Sequence, residues 1–348
     1  MLADRIEAKW IDAFAEVFAL CRVAPGEAVA ILSETQSRAL NVHLAELALL
    51  RLGARPFHVV VPTPPQVAPV AVRSTGASDA VRGLGPVVAA LAQSGLVADL
   101  TVEGMLHAPE LKDILKGGAR LLMVSNEHPE ALERLKPDPA LADKVKAGIK
   151  RLKSARRMRV TSPAGTDLDI ALDGAMPGGV WGWCERPGTV AHWPGGLCLC
   201  FPRAGAVNGR LVMAPGDANL TFKRYLETPV AMTVVDDHVT EVAGAGSDAA
   251  LMRDYFAAWN DRAAYAVSHV GWGMNPRARW EALAMYDKRD TNGTELRAVA
   301  GNFLYSTGAN ETAGRFTSGH FDLPMRDCTI RLDNVPVVEG GKLVGELA

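Results

Sequence analysis

The chain has 348 residues, 37 Lys and Arg against 39 Asp and Glu, a net charge of −2 and 48% hydrophobic residues. That length supports two domains with a well-buried core. The scattered charge gives no nucleic-acid surface, and the one basic run (Lys150, Arg151, Lys153, Arg156, Arg157, Arg159) has no interleaved aromatics and reads as a solvated helix end. No apolar run reaches the ~18 residues that span a membrane. Five irregularly placed cysteines make no disulfide framework, and the charged N-terminus lacks the apolar centre of a signal peptide. These features read as a cytoplasmic protein.

Helical spacing of Ile6, Trp10, Phe14, Val17 and Phe18 predicts a first helix over 4–21. A strand follows at 28–32, a helix at 41–52 and a strand at 56–61, then a Pro-rich loop at 62–69. A helix at 81–92, a strand at 96–102, a short helix at 110–116, a strand at 119–124 and helices at 129–135 and 141–154 complete the alternation. Strands alternating with helices predict a parallel, doubly wound sheet of Rossmann type for residues 1–154. From 155 the pattern becomes short strands and turns, with a Gly-rich stretch at 174–188 and a helix at 247–259. Residues 155–348 therefore read as a mainly antiparallel α+β domain.

The Rossmann-like half lacks G-x-G-x-x-G after its first strand and has no G-x-x-x-x-G-K-[ST], so dinucleotide or ATP binding is not indicated. G-x-S-x-G and H-E-x-x-H are absent as well. Cys198-x-Cys200 puts two thiols on one strand face, too few for a closed zinc site, and reads as core packing. His320 and Asp322 are two residues apart between Gly319 and Pro324, which favours extended chain. On a strand both side chains point to one face, as a chelating pair would. His269, in a strand-like segment leading to a Gly-rich turn and a helix from about Arg277, supplies a third donor. Two histidines and a carboxylate make the facial triad of non-haem Fe(II) oxygenases, and the same set suits catalytic zinc; spacing does not separate the two. His107 follows the third parallel strand, where open α/β sheets bind ligands. His192 lies in a turn-rich aromatic segment.

The segments Met105–Glu110, His192-Trp193-Pro194, Ser268–Gly273, Gly301–Gly308 and His320–Pro324 resemble, in order and across nearly the whole chain, the 2,5-dihydroxypyridine 5,6-dioxygenases of pyridine degradation. That family is built on the scaffold of the thermophilic (M29-type) metallo-aminopeptidases. The peptidases use glutamates to hold two metals; the comparable segments here lack them, which points to one metal. The resemblance implies Fe(II) held by His269, His320 and Asp322, and extradiol-type opening of a dihydroxypyridine by O2 to N-formylmaleamate. It implies His107 as the acid–base residue, a role that suits a group titrating near neutrality. It implies His192 as a substrate-orienting residue, Ser306 and Thr307 as hydrogen-bonding partners of the ring substituents, and Trp272 or Trp193 as a stacking surface. The pattern departs at Val180, which stands before Trp181-Gly182-Trp183 where the family carries an acid; Glu185 lies several residues on. Such a change alters which polar ring group is recognised. The family, together with the apolar segment 335–348, also implies a homo-oligomer. A two-metal aminopeptidase and a non-catalytic small-molecule-binding protein are the alternative readings.

Overall fold

The computed structural model describes residues 5–65 and 78–348, so the part of the predicted 62–69 loop beyond 65 lies outside the described residues. The first half alternates as predicted: α1 (Ala8–Leu20), β1 (Ala28–Glu34), α2 (Ala39–Arg51), β2 (Arg55–Val61), α3 (Gly85–Ala92), β3 (Leu96–Asp99), α4 (Leu111–Lys116), β4 (Arg120–Val124), α5 (Pro129–Arg134) and α6 (Pro139–Ser154). The strands pair in parallel in the order β2-β1-β3-β4. β1 shows why the sheet is covered on both faces. Val29 and Ile31 pack with α1 and α2, while Ala30 and Leu32 pack into the layer that holds Leu91 and Ile114 of α3 and α4. α3 begins at Gly85 rather than at 81 because Pro86 suits the first turn of a helix and not its interior. α6 starts where Pro139 follows Asp138, whose side chain accepts from Ala140 N.

After α6 come β5 (Arg157–Thr161), β6 (Asp167–Ala171), β7 (Met176–Val180), β8 (Val190–Trp193) and β9 (Leu197–Phe201). β8, a strand that the sequence pattern does not reveal, lies within 155–348 yet joins the first sheet. It pairs in parallel with β4, Val124 opposite Trp193, and becomes the fifth strand. β5 and β6 enter an eight-stranded antiparallel sheet. β7 and β9 form a second, five-stranded one with strands Val267–Gly273, Phe303–Thr307 and Phe321–Met325, in the order 321–325, 303–307, 267–273, β9, β7. A large apolar core, including Met158, Ile170, Trp272, Tyr305 and Phe321, lies among these sheets, α6 and the helix Ser247–Trp259.

Two further expectations change. The Gly-rich stretch 174–188 contains β7, where a Cβ on Gly179 would lie 2.7 Å from Val145 Cγ1 of α6. The glycine is there because helix and strand approach closely. No helix starts at Arg277; turns lead to a single short helix, Ala282–Met285. The C-terminal segment contributes Val337, Val338 and Leu347 to the core, while Val335 is exposed. Among the described residues no helix is long and apolar enough to cross a membrane.

Candidate active site

The carboxylate of Asp322 is the centre of the site. His320, just before strand Phe321–Met325, points to the same side, with Nε2 3.1 Å from Asp322 Oδ2. Ser306 lies directly opposite Asp322 in the antiparallel ladder, and its hydroxyl bonds Oδ1. His269 arrives through an irregularity in the neighbouring strand. Val267 pairs with Thr307 and Val270 with Tyr305, so Ser268 and His269 together face Ser306. Such a bulge re-aims a side chain, and here it brings His269 Nε2 to 3.1 Å from Ser306 Oγ and 3.7 Å from Asp322 Oδ1.

Hydrogen bonds select the histidine tautomers. Ser268 Oγ donates to Ala309 O, so it accepts from His269 Nδ1 at 3.1 Å, which leaves Nε2 as a lone-pair nitrogen facing the carboxylate. Ser306 has one proton and two nearby acceptors, His269 Nε2 and Asp322 Oδ1. Burial pushes His269 down to about 3, against the pull of Asp322. Burial alone would raise the Asp322 carboxyl; Arg297, whose Nε lies 2.6 Å from Oδ2, and the two imidazoles outweigh it and hold it well below the carboxylate range. A neutral imidazole nitrogen beside an ionised carboxylate, with too few protons between them, suits a divalent cation. First-row ions bonded at about 2.1 Å space neighbouring donors roughly 3.0–3.4 Å apart. Among the described residues no group of three or more His, Cys, Asp or Glu side chains is spaced to hold a metal ion as it stands. The His269 side is open, with Nε2 3.7 Å from Asp322 Oδ1 and the His269 and His320 ring centres 5.9 Å apart. In chemistry, though not in present spacing, His269, His320 and Asp322 are donors of the kind such an ion takes.

The site opens into a cavity of about 270 Å³ at the carboxyl end of the parallel sheet. His107, from the loop after β3, has its ring centre 5.6 Å from that of His320 and 6.4 Å from that of His269. His192, on β8, donates from Nδ1 to Pro194 O at 2.7 Å, since a carbonyl can only accept; its Nε2 is then an acceptor. Burial pushes both down to about 4, with the His320 charge acting on His107 in the same sense and Arg297 on His192. Both are neutral at pH 7, below the near-neutral titration expected of His107. The opposite wall is apolar: Val180, Leu197, Leu199 and Phe201, with the Phe201 ring 5.4 Å from that of His269.

The remaining sequence candidates lie elsewhere. Trp272 is fully buried in the core, and Trp193 packs on Phe14 and donates to Leu135 O at 2.9 Å; neither lines the cavity. Thr307 Oγ1 accepts from Phe321 N, and Ser306 sits behind the carboxylate rather than on the cavity wall. Glu185 pairs with Arg22 outside the cavity, so it does not replace an acid at Val180; Glu103 is the carboxylate that lines the cavity besides Asp322. Sequence reading missed Arg297, Glu103, Met123 and Phe201. Only the need of a buried carboxylate for a cation partner hinted at Arg297.

A cavity where two sheets present imidazoles around one ionised carboxylate defines an α/β enzyme acting on a small ligand. The family model for 2,5-dihydroxypyridine 5,6-dioxygenase matches residues 9–345. The 2,5-dihydroxypyridine 5,6-dioxygenase of Pseudomonas putida KT2440 is 35% identical over 335 residues, 95% of each chain. The solved structure of 2,5-dihydroxypyridine dioxygenase from that organism superposes with a TM-score of 0.92 at 34% identity, covering 100% of this chain and 99% of that one. Wild-type AmpT from Thermus thermophilus, with a TM-score of 0.62 at 14% identity over 97% of this chain and 99% of its own, shares the fold alone. The chain belongs to the 2,5-dihydroxypyridine 5,6-dioxygenase family.

Proposed function

We propose that this chain is a ring-cleaving dioxygenase that converts 2,5-dihydroxypyridine and O2 to N-formylmaleamate, with Fe(II) held by His269, His320 and Asp322. The observation that carries the reading is the convergence of two imidazole nitrogens on one ionised carboxylate inside a cavity sized for a single ring, in a chain that the family matches almost end to end. Bound Fe(II) would supply the redox chemistry that lets O2 react with an electron-rich ring.

The chain's own residues do the rest. His107, neutral at pH 7, accepts a proton from a ring hydroxyl and holds it within the cavity. His192 presents Nε2 as an acceptor in an orientation fixed by Pro194 O, and so orients the substrate. Ser306 and Arg297 hold the two oxygens of Asp322 in place. The Leu197, Leu199, Phe201 and Val180 wall excludes water and packs on the ring. The reading includes a cytoplasmic homo-oligomer; five free, buried cysteines are in keeping with a reducing compartment. Oxygen uptake in 18O2 tests the reaction: equimolar consumption of 2,5-dihydroxypyridine and O2 with both labelled atoms in the product is expected. No uptake by the iron-restored protein would overturn it.

A further inference from the structure

We propose that Glu127, outside the cavity, is a positioning residue that sets the orientation of Asp322 through the segment 292–297. The inference rests on the metal-binding reading of Asp322. Glu127 follows β4 at the carboxyl end of the parallel sheet and is 1% exposed. Its carboxylate makes a two-point clamp: Oε2 accepts from Asn292 N and Oε1 from Thr294 N, each at 2.9 Å. Its backbone carbonyl accepts from Asn41 Nδ2 at 3.0 Å, which ties the clamp to α2. Thr294 then reaches toward the site. Its Oγ1 accepts from Arg297 Nη1 at 3.0 Å, and Arg297 Nε donates to Asp322 Oδ2 at 2.6 Å.

The same segment is fastened around the clamp. Ser125 Oγ and Thr294 Oγ1 are 2.7 Å apart, and His128 N donates to Asp290 O at 2.8 Å. The first half of the chain thus holds the turn whose arginine aims a carboxylate of the second half. Each oxygen of the Glu127 side chain accepts one of the two backbone N–H groups. A glutamine keeps one acceptor and turns its NH2 against the other N–H. Because Glu127 reaches Asp322 through Thr294 and Arg297 rather than by touching it, its loss changes how tightly the ion is held and leaves the donor set intact.

The test uses the metal-free full chain of Glu127→Gln, Thr294→Val and Thr294→Ser. The Co(II) dissociation constant is read from the d–d absorption, with kcat of the iron-loaded protein and Tm measured alongside. E127Q and T294V are expected to weaken Co(II) binding roughly tenfold and to lower kcat. T294S, which keeps the hydroxyl, is expected to bind like the wild type. Lower Tm with Co(II) binding and kcat within twofold of wild type would overturn the proposal and make the clamp merely structural. If E127Q does not fold, T294V against T294S decides the matter. Failure of the wild type itself to bind Co(II) would instead overturn the metal reading on which the proposal stands.

Discussion

Ser306 faces Asp322 across the antiparallel ladder, and its hydroxyl is hydrogen-bonded to the Oδ1 of that carboxylate. The other oxygen is held by Arg297 and His320. Replacing Ser306 by Ala removes the Oδ1 partner at a buried site. The expected result is a kcat/KM lower by about 10- to 100-fold together with faster loss of iron on dialysis. Unchanged iron retention with lowered activity would mean that Ser306 acts on the substrate instead.

His107 shares the cavity with His269, His320 and Asp322, its ring centre 5.6 Å from that of His320. His107→Ala is expected to lower kcat by about 10²- to 10⁴-fold, the usual worth of a positioned proton acceptor. Iron content is expected to stay at the wild-type level, since the three side chains proposed to hold it are untouched. Metal analysis beside steady-state kinetics checks both statements.

Trp193 illustrates how a residue next to a site residue can be mistaken for part of it. Its Nε1 donates to Leu135 O and its ring is an edge partner of Phe14 at 5.0 Å. Trp193→Phe leaves a buried carbonyl unpaired, an expected loss of about 1–3 kcal/mol in denaturant unfolding. KM for the ring substrate is expected to stay within about twofold. A large rise in KM without loss of stability would restore the stacking role.

Asp99 accepts from Thr101 N, Thr101 Oγ1 and Met105 N, and so shapes the loop that carries His107. Burial raises its carboxyl to about 6, against the pull of those same bonds. The fold therefore prefers the protonated form. This stabilisation is present in full below the unfolded value near 3.8 and is lost as pH rises through about 6. The difference amounts to about 3 kcal/mol at most. Asp99→Asn is expected to flatten that part of the stability curve between pH 4 and 6, measured by urea unfolding, and to lower kcat by loosening the loop.

The parallel half is legible because its central strands are covered on both faces and read as continuous apolar runs, such as Ala28–Leu32. β7 is not, since Met-Pro-Gly-Gly-Val carries glycines for the approach of α6 rather than strand-forming residues. Nor does the four-residue strand β8 encode which sheet it will join; that depends on β4 being open at its edge. In the site, His320 and Asp322 were readable from a period of two. His269 takes its aim from a bulge, which has no local signature, and Arg297 comes from 25 residues before Asp322, on a different element.

The central claim is a single iron on His269, His320 and Asp322. Metal analysis of the chain prepared without added metal and then reconstituted anaerobically tests it most directly, with O2 uptake on 2,5-dihydroxypyridine measured on the same samples. One Fe(II) per wild-type chain that restores uptake, with both the iron and the uptake lost in His269→Ala and Asp322→Ala, is the predicted result. Stoichiometric zinc in the active protein, or full uptake in the two variants, would contradict it.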